Sequence, residues 1–387
     1  MAEKKKKVTK SMMMGNKELQ DTLESLVPSI EPVDKDLLKL LKKTQVSKEE
    51  TRIIVDNYYQ IQEKRIVVES QMRSVIQEYD NTVNTELLAW SLKQQKNMEE
   101  AYFKILNTIS QTTEVGKWLR KVMGIGPTLA CALTAYFDIE KASSAGHFWS
   151  YAGLNDNIAP KLGKEKSALI VEKCINKNDG KLDDYTIALV AQATGRKLST
   201  LLTKSTLESG KISKSELIKA VSYMPYNKNL KVICWKCGHQ FSLLQNNEKS
   251  LYGRILRERK AKETLLNESG KYANQAKLIL GEDYEFEPDK FAITDEFNLD
   301  LYEETNRIIR SKNFGKNTDA YAALSQGMLP KAQIQARAER YATKLFISHL
   351  FEKMYIDKYG KMPPNPYVIE HMGHVDYIGP EVPYIEE

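Results

Sequence analysis

Gly124, Ile125 and Gly126 stand between two short apolar stretches, and their spacing suits an anion site. The two glycines accept backbone angles that a Cβ forbids, and they let a ligand approach the main chain closely. Pro127 fits the first position of a new helix, whose N–H has no partner inside the helix. Amides at that start, with the positive end of the helix dipole, would hold a DNA phosphate. Thr128 lies in the same first turn, and Lys117, Arg120 and Lys121 stand just upstream to add charge. A second basic stretch, Arg254, Arg257 and Lys260, repeats near helical spacing and would follow a phosphate backbone. A plainer reading competes with each. The hairpin is also the pattern of an ordinary αα-turn in a core, and the basic stretch, interleaved with Glu258 and Glu263, is also that of a solvated, self-paired surface.

Two further groups invite metal chemistry. Cys234 and Cys237 stand at the spacing that lets two thiolates share a tetrahedral zinc, and His371 and His374 would complete it. No second cysteine pair exists, and Val232-Ile-Cys-Trp235 reads as the buried side of a helix, so no metal or cofactor is expected. The carboxylates between Gly281 and Glu304 could gather magnesium. They show no ordered pattern and read as an irregular acidic segment over 281–327, which would shield the basic face until DNA displaces it.

These residues need elements to position them. Residues 1–46 read as a disordered basic tail and linker, with Lys4 to Lys7 as its charge run. Ser47-Lys-Glu-Glu50 is a capping box. Ile54, Tyr58, Ile61, Val68, Met72 and Val75 follow at helical spacing, then Leu87, Leu88, Leu92, Met98 and Phe103 after a break, so 47–114 is a helical hairpin or coiled coil suited to self-association. The helix-hairpin-helix occupies 115–163, and a further helix over about 144–152 ends at Gly153. Residues 164–225 form an inserted helical subdomain: one helix over Leu182–Leu201, broken at Gly195, and another capped at Ser213 with Glu216 three residues on. This insert is either a helix-turn-helix with Arg196 and Lys197 facing phosphate or a small decoration. Residues 226–280 continue the main domain, and 328–387 hold a long C-terminal helix from Pro330 to about Tyr359 and a Pro-rich tail. The fold class is mainly α.

The totals agree with such a protein. In 387 residues, 57 basic side chains face 51 acidic ones, a net charge of +6 that permits a polyanionic partner. Four cysteines fit a reducing compartment rather than a disulfide scaffold. No apolar run reaches membrane-spanning length and no signal-peptide pattern opens the chain, so a soluble cytoplasmic protein is expected.

The run Gly124-Ile-Gly-Pro-Thr-Leu-Ala-Cys-Ala-Leu-Thr-Ala-Tyr-Phe-Asp138, followed by Phe148-Trp-Ser-Tyr-Ala-Gly-Leu154, resembles the C-terminal domain of the DEDD-type, bridge-RNA-guided insertion-sequence transposases. Asn227-Lys-Asn-Leu-Lys231 is similar to that family's Asn-x-x-Leu-Arg helix, and Ala336 to Phe346 to its terminal Ala-x-x-Arg helix. Cys234-Trp-Lys236, Tyr252-Gly-Arg-x-x-Arg-Glu-Arg-Lys260 and the Pro-rich ending look closer to stand-alone phage and bacterial relatives. The resemblance covers roughly 85–260 and 328–358. It implies a domain that works on DNA, with a catalytic serine just after the Tyr-Ala-Gly-Leu segment and a separate nuclease domain carrying four acidic ligands. Here Leu162 stands at the serine position, and no strand-rich region precedes the hairpin. Ser167 is a nearby serine, but a nucleophile also needs a positioned base. The expectation is therefore a non-catalytic, weakly sequence-specific DNA-binding protein for duplex or branched DNA. The alternatives are a recombinase subunit that borrows its nuclease, a retained surface for structured RNA, and a phage-type assembly protein that forms homo-oligomers through its N-terminal helices.

Overall fold

The computed structural model describes residues 33–44, 46–79, 86–155, 163–194, 212–223, 226–283, 298–364 and 377–384. Among them are fifteen α-helices, one 3-10 turn and no strand, a mainly α fold. No helix among these residues is long and apolar enough to cross a membrane. The chain divides into two compact units: the first takes residues 1–142, 352–363 and 382–387, and the second 143–351 and 364–381.

The first unit opens with α1 (Lys35–Lys43), capped by the Asp34 carboxylate. α2 (Lys48–Tyr79) starts at the expected capping box: the Glu50 N–H donates to Ser47 Oγ, and the Ser47 N–H to Glu50, both at 3.1 Å. It packs antiparallel to α3 (Glu86–Ile109), since Arg65 pairs with Glu99 while Glu69, one turn later, pairs with Lys96. The two helices of the expected hairpin form, but their buried residues are Val55, Ile61, Met72, Ala89 and Leu106, of which the apolar spacing predicts only Ile61 and Met72, while Leu87, Met98 and Phe103 are exposed. α4 (Glu114–Lys121) and α5 (Pro127–Tyr136) come next, and α5 packs on α2, α3 and α4. Helical hairpin and helix-hairpin-helix are thus one body, not the separate domains that the sequence reading divides at 114. The reason is the composition of α5: all its residues except Thr134 are buried, and a helix apolar all round needs neighbours on several sides.

The second unit begins with α6 (Ala145–Tyr151), which ends near the expected Gly153: Ala152 is its C-cap, and the chain reverses at Gly153 with φ of +66°. α7 (Lys164–Lys177), α8 (Asp184–Thr194) and α9 (Lys214–Ser222) make the inserted subdomain around Ile170, Val171, Leu189, Val190, Leu217 and Val221. The Ser213–Glu216 capping box forms as expected. A fourth helix, α13 (Leu299–Arg310), joins this core through Leu301, Ile308 and Ile309. This corrects the reading of the acidic stretch as irregular, because its last part is helical, capped by the Asn298 side chain. Spaced apolar residues outweigh the charge there, and Lys173 takes up the carboxylate of Glu304.

The rest of the unit is α10 (Lys228–Leu243), α11 (Leu251–Glu268), α12 (Ala273–Leu280), α14 (Asp319–Ser325) and most of α15 (Lys331–Tyr359). Phe241, Tyr252 and Phe346 meet ring to ring at 4.9–5.3 Å, and the Tyr252 hydroxyl and His349 Nδ1 lie 2.8 Å apart. Such aromatic contacts add to the area they bury and fix how α10, α11 and α15 cross.

Candidate nucleic-acid interface

The expected anion site lies in the first unit. Thr113 caps α4, its hydroxyl accepting from the Gly116 N–H, and the chain turns through Val122 to Gly126. Gly124 has a φ of +91°, which a side chain would strain, and the Ile125 N–H closes the turn on the Val122 carbonyl at 3.1 Å. Ile125 is buried and anchors the turn. Gly126 is the N-cap of α5, with Pro127 next, and no side chain caps that end. A Cβ at Gly126 would meet nothing within 4 Å, so there is space at this position, while Pro127, Thr128 and Leu129 of the first turn are buried. The far end of α5 is closed instead: Arg52 Nε donates to the Ala135 carbonyl at 2.8 Å. One end of the dipole is satisfied by a cation and the other has no side-chain cap.

Not every expected contact residue faces outward. Arg120 is half-buried, and its Nη1 donates to the Ile125 carbonyl at 3.2 Å, so it braces the turn from behind. Thr128 is 8% exposed and its side chain is hydrogen-bonded to the Tyr58 hydroxyl of α2, which places it in the core. Tyr58 in turn donates to Glu99, but that carboxylate is already engaged by Gln62 and Arg65 and brings no unpaired negative charge to the turn. Lys117 and Lys121 are exposed, Lys117 in an ion pair with Glu114. An exposed pair of this kind holds its partner weakly and can be exchanged for a phosphate.

The second basic stretch belongs to the second unit, on α11. Arg257 pairs with Glu248 at 2.8 Å, Arg254 is part-buried with no hydrogen bond to its Nε, and Lys260 is part-exposed. Arg259, between them, turns inward onto Glu263. The stripe is therefore broken by internal pairing rather than presented as a continuous row.

Of the metal and nucleophile candidates, Cys234, Cys237 and Ser167 lie among the described residues, and all three are buried. Cys234 and Cys237 lie on the buried side of α10, and burial pushes the Cys237 thiol up to about 12 and Cys234 well above its usual value. No cluster of three potential metal ligands occurs among the described residues, and His371 and His374 lie outside them. Ser167 is fully buried within α7, where no substrate reaches it. Leu162, Arg196 and Lys197 also lie outside the described residues.

Three segments that are distant in sequence meet in the second unit. The Asn227 N–H donates to the Tyr151 carbonyl at 2.9 Å and its side-chain amide to the Tyr151 hydroxyl at 3.1 Å. Trp149 Nε1 donates to the Lys344 carbonyl at 3.0 Å, and Gly238 lets α10 close on Thr343 of α15. Sequence reasoning expects Trp235 on a buried face, yet it is 59% exposed and stacked on His239, with ring centres 5.5 Å apart. The four-residue step between them is the signal that would have found the pair. No protein-family model, curated protein or solved structure matches the chain.

Proposed function

We propose that this protein binds DNA without cutting it, seating a phosphate on the turn Gly124–Gly126, and that it is related to the C-terminal domain of the DEDD-type transposases. The observation that carries the reading is the open N-terminus of α5, uncapped at Gly126 and with free space where a side chain would stand. Lys117 and Lys121 supply charge beside it, and main-chain contact of this kind positions a duplex without reading bases. The relation to the transposase domain is supported by the meeting of the Tyr151, Asn227 and Lys344 segments, which carry the resemblance.

Gly126 makes a clean test. Its φ of −80° suits any residue, whereas Gly124 cannot be changed without strain. Gly126→Glu should fold normally and place a carboxylate on the phosphate site. In gel shifts of duplex, junction and structured RNA at two salt concentrations, wild type is expected to shift DNA, with affinity falling as salt rises. The variant is expected to lose about tenfold or more, roughly the value of one charge-assisted contact made repulsive. Equal binding by both proteins would remove the hairpin from the interface, and a preference for structured RNA would change the partner.

A second reading, self-association, has its own observation. Leu40, Leu41, Val46, Ile53 and Ile54 line a cavity of about 310 Å³ between α1 and α2, with Leu40 and Ile53 more than half exposed. If this surface joins copies of the chain, Leu40→Asp should lower the molar mass measured by light scattering at a fixed concentration, while wild type stays oligomeric. A monomeric wild type ends that reading.

A further inference from the structure

We propose that the exposed face of α10 is a stacking platform for unpaired bases of a single nucleic-acid strand. The proposal does not depend on the hairpin site. Lys228, Lys231, Val232, Trp235, His239 and Leu243 recur at three- and four-residue steps and so share one face. Val232, Trp235 and Leu243 are 51%, 59% and 67% exposed, while Ile233, Cys234, Cys237 and Phe241 hold the opposite face in the core. The platform therefore stands on a rigid element.

Two rings on it are already ordered. Trp235 and His239 lie nearly parallel, with an interplanar angle of 10°. Tyr226, at the base of the helix, packs against Gly153, where a Cβ would fall 2.8 Å from the ring. Lys231 Nζ sits 4.4 Å from the centre of the Tyr226 ring. A side chain as large as tryptophan is usually well buried, and holding one ordered in solvent gains nothing unless something covers it.

Charge selects the occupant. The six positions include two lysines and no carboxylate, so the face matches a polyanion that also carries flat apolar groups. A single strand has both, phosphates for the lysines and a π-face on every base. A protein partner would favour an interface core depleted in lysine.

The test uses the whole protein and a labelled oligothymidylate, followed by fluorescence anisotropy at low salt, with an oligouridylate arm to separate DNA from RNA. Trp235→Ala should weaken strand binding about tenfold and Trp235→Phe about twofold, in the range of one stacked base. Neither variant should move the thermal midpoint appreciably, because the side chain is exposed. Trp235→Ala should leave the duplex gel shift unchanged, which keeps this result separate from the duplex experiment. The proposal is overturned if wild type has no strand affinity, or if Trp235→Ala binds as wild type does. It is also overturned if Trp235→Ala merely breaks an oligomer while strand affinity stays unchanged.

Discussion

Replacing Arg337 by alanine is expected to cost about 1.5–3 kcal/mol of folding stability, the usual contribution of a hydrogen bond to a charged group. Glu263, on α11, is 1% exposed and is held by four donor atoms from three side chains. Arg337 Nε donates to it at 2.7 Å, Arg259 Nε at 2.8 Å, and the Tyr272 hydroxyl makes a further short bond, while the Arg337 guanidinium also lies 4.5 Å from the centre of the Tyr272 ring. The second arm of Arg259 joins the first on Oε1, while Arg337 and Tyr272 share Oε2, so both carboxylate oxygens are engaged. Taking away Arg337 removes one of the two cations and leaves Tyr272 alone on Oε2, and urea unfolding should show the loss as a lower midpoint at unchanged slope.

Acid gives the same network a second readout. Burial pushes the Glu263 carboxyl up, but the hydrogen bonds from Tyr272 and Arg337, with the Arg337 charge, outweigh it and leave its pKa below the usual carboxylate value. A carboxylate lowered in the folded state contributes its stability in full above the unfolded pKa and loses it as pH falls through the folded one. Wild type should therefore lose stability on acidification faster than Glu263→Gln, and the two should converge at low pH. Parallel curves would show that the charge contributes nothing.

Gly116→Ala is expected to cost about 2 kcal/mol net, even though alanine is the better helix former. A Cβ at this position would lie 2.3 Å from the Ser110 carbonyl oxygen and 2.9 Å from Thr113 Oγ1. The carbonyl belongs to the main chain just after α3 and cannot rotate away, so α4 must shift, at a cost of about 3 kcal/mol for overpacking. The gain in helix propensity is about 1 kcal/mol and does not offset it. Gly126→Ser is the internal control: with open space and an ordinary φ there, thermal unfolding should change by no more than about 0.5 kcal/mol. Similar behaviour of the two variants would mean that α4 is not packed on Ser110.

Local rules made much of this fold legible. The capping boxes at Ser47 and Ser213, the reversal at Gly153 and the buried positions Ile61 and Met72 are signals carried within a few residues, and each is found where spacing places it. What stayed hidden depends on partners far along the chain. Arg337 meets Glu263 across 74 positions, and no local pattern marks either as buried. Arg120 and Arg259 look like members of basic runs, yet each turns inward to a main-chain or side-chain acceptor. The helix at Leu299 was masked by its own acidity, since clustered carboxylates conceal an apolar stripe when the surface it covers is unknown. For the hairpin, residue types indicated the turn and its opening at Gly126, but not that Thr128 would be drawn into the core by Tyr58.

The first unit is closed by the last described residues of the chain. Trp118 Nε1 of α4 donates to the Val382 carbonyl at 2.9 Å, and Lys353 Nζ to the Tyr384 carbonyl at 2.8 Å. Synthesis runs in one direction, so α4 leaves the ribosome well before the acceptor that its indole needs. At ordinary elongation rates of about 5–20 residues per second, the roughly 260 residues between them take about 13–52 s. During that interval the hairpin-bearing helices lack this contact, and their final consolidation waits for residues 382–384.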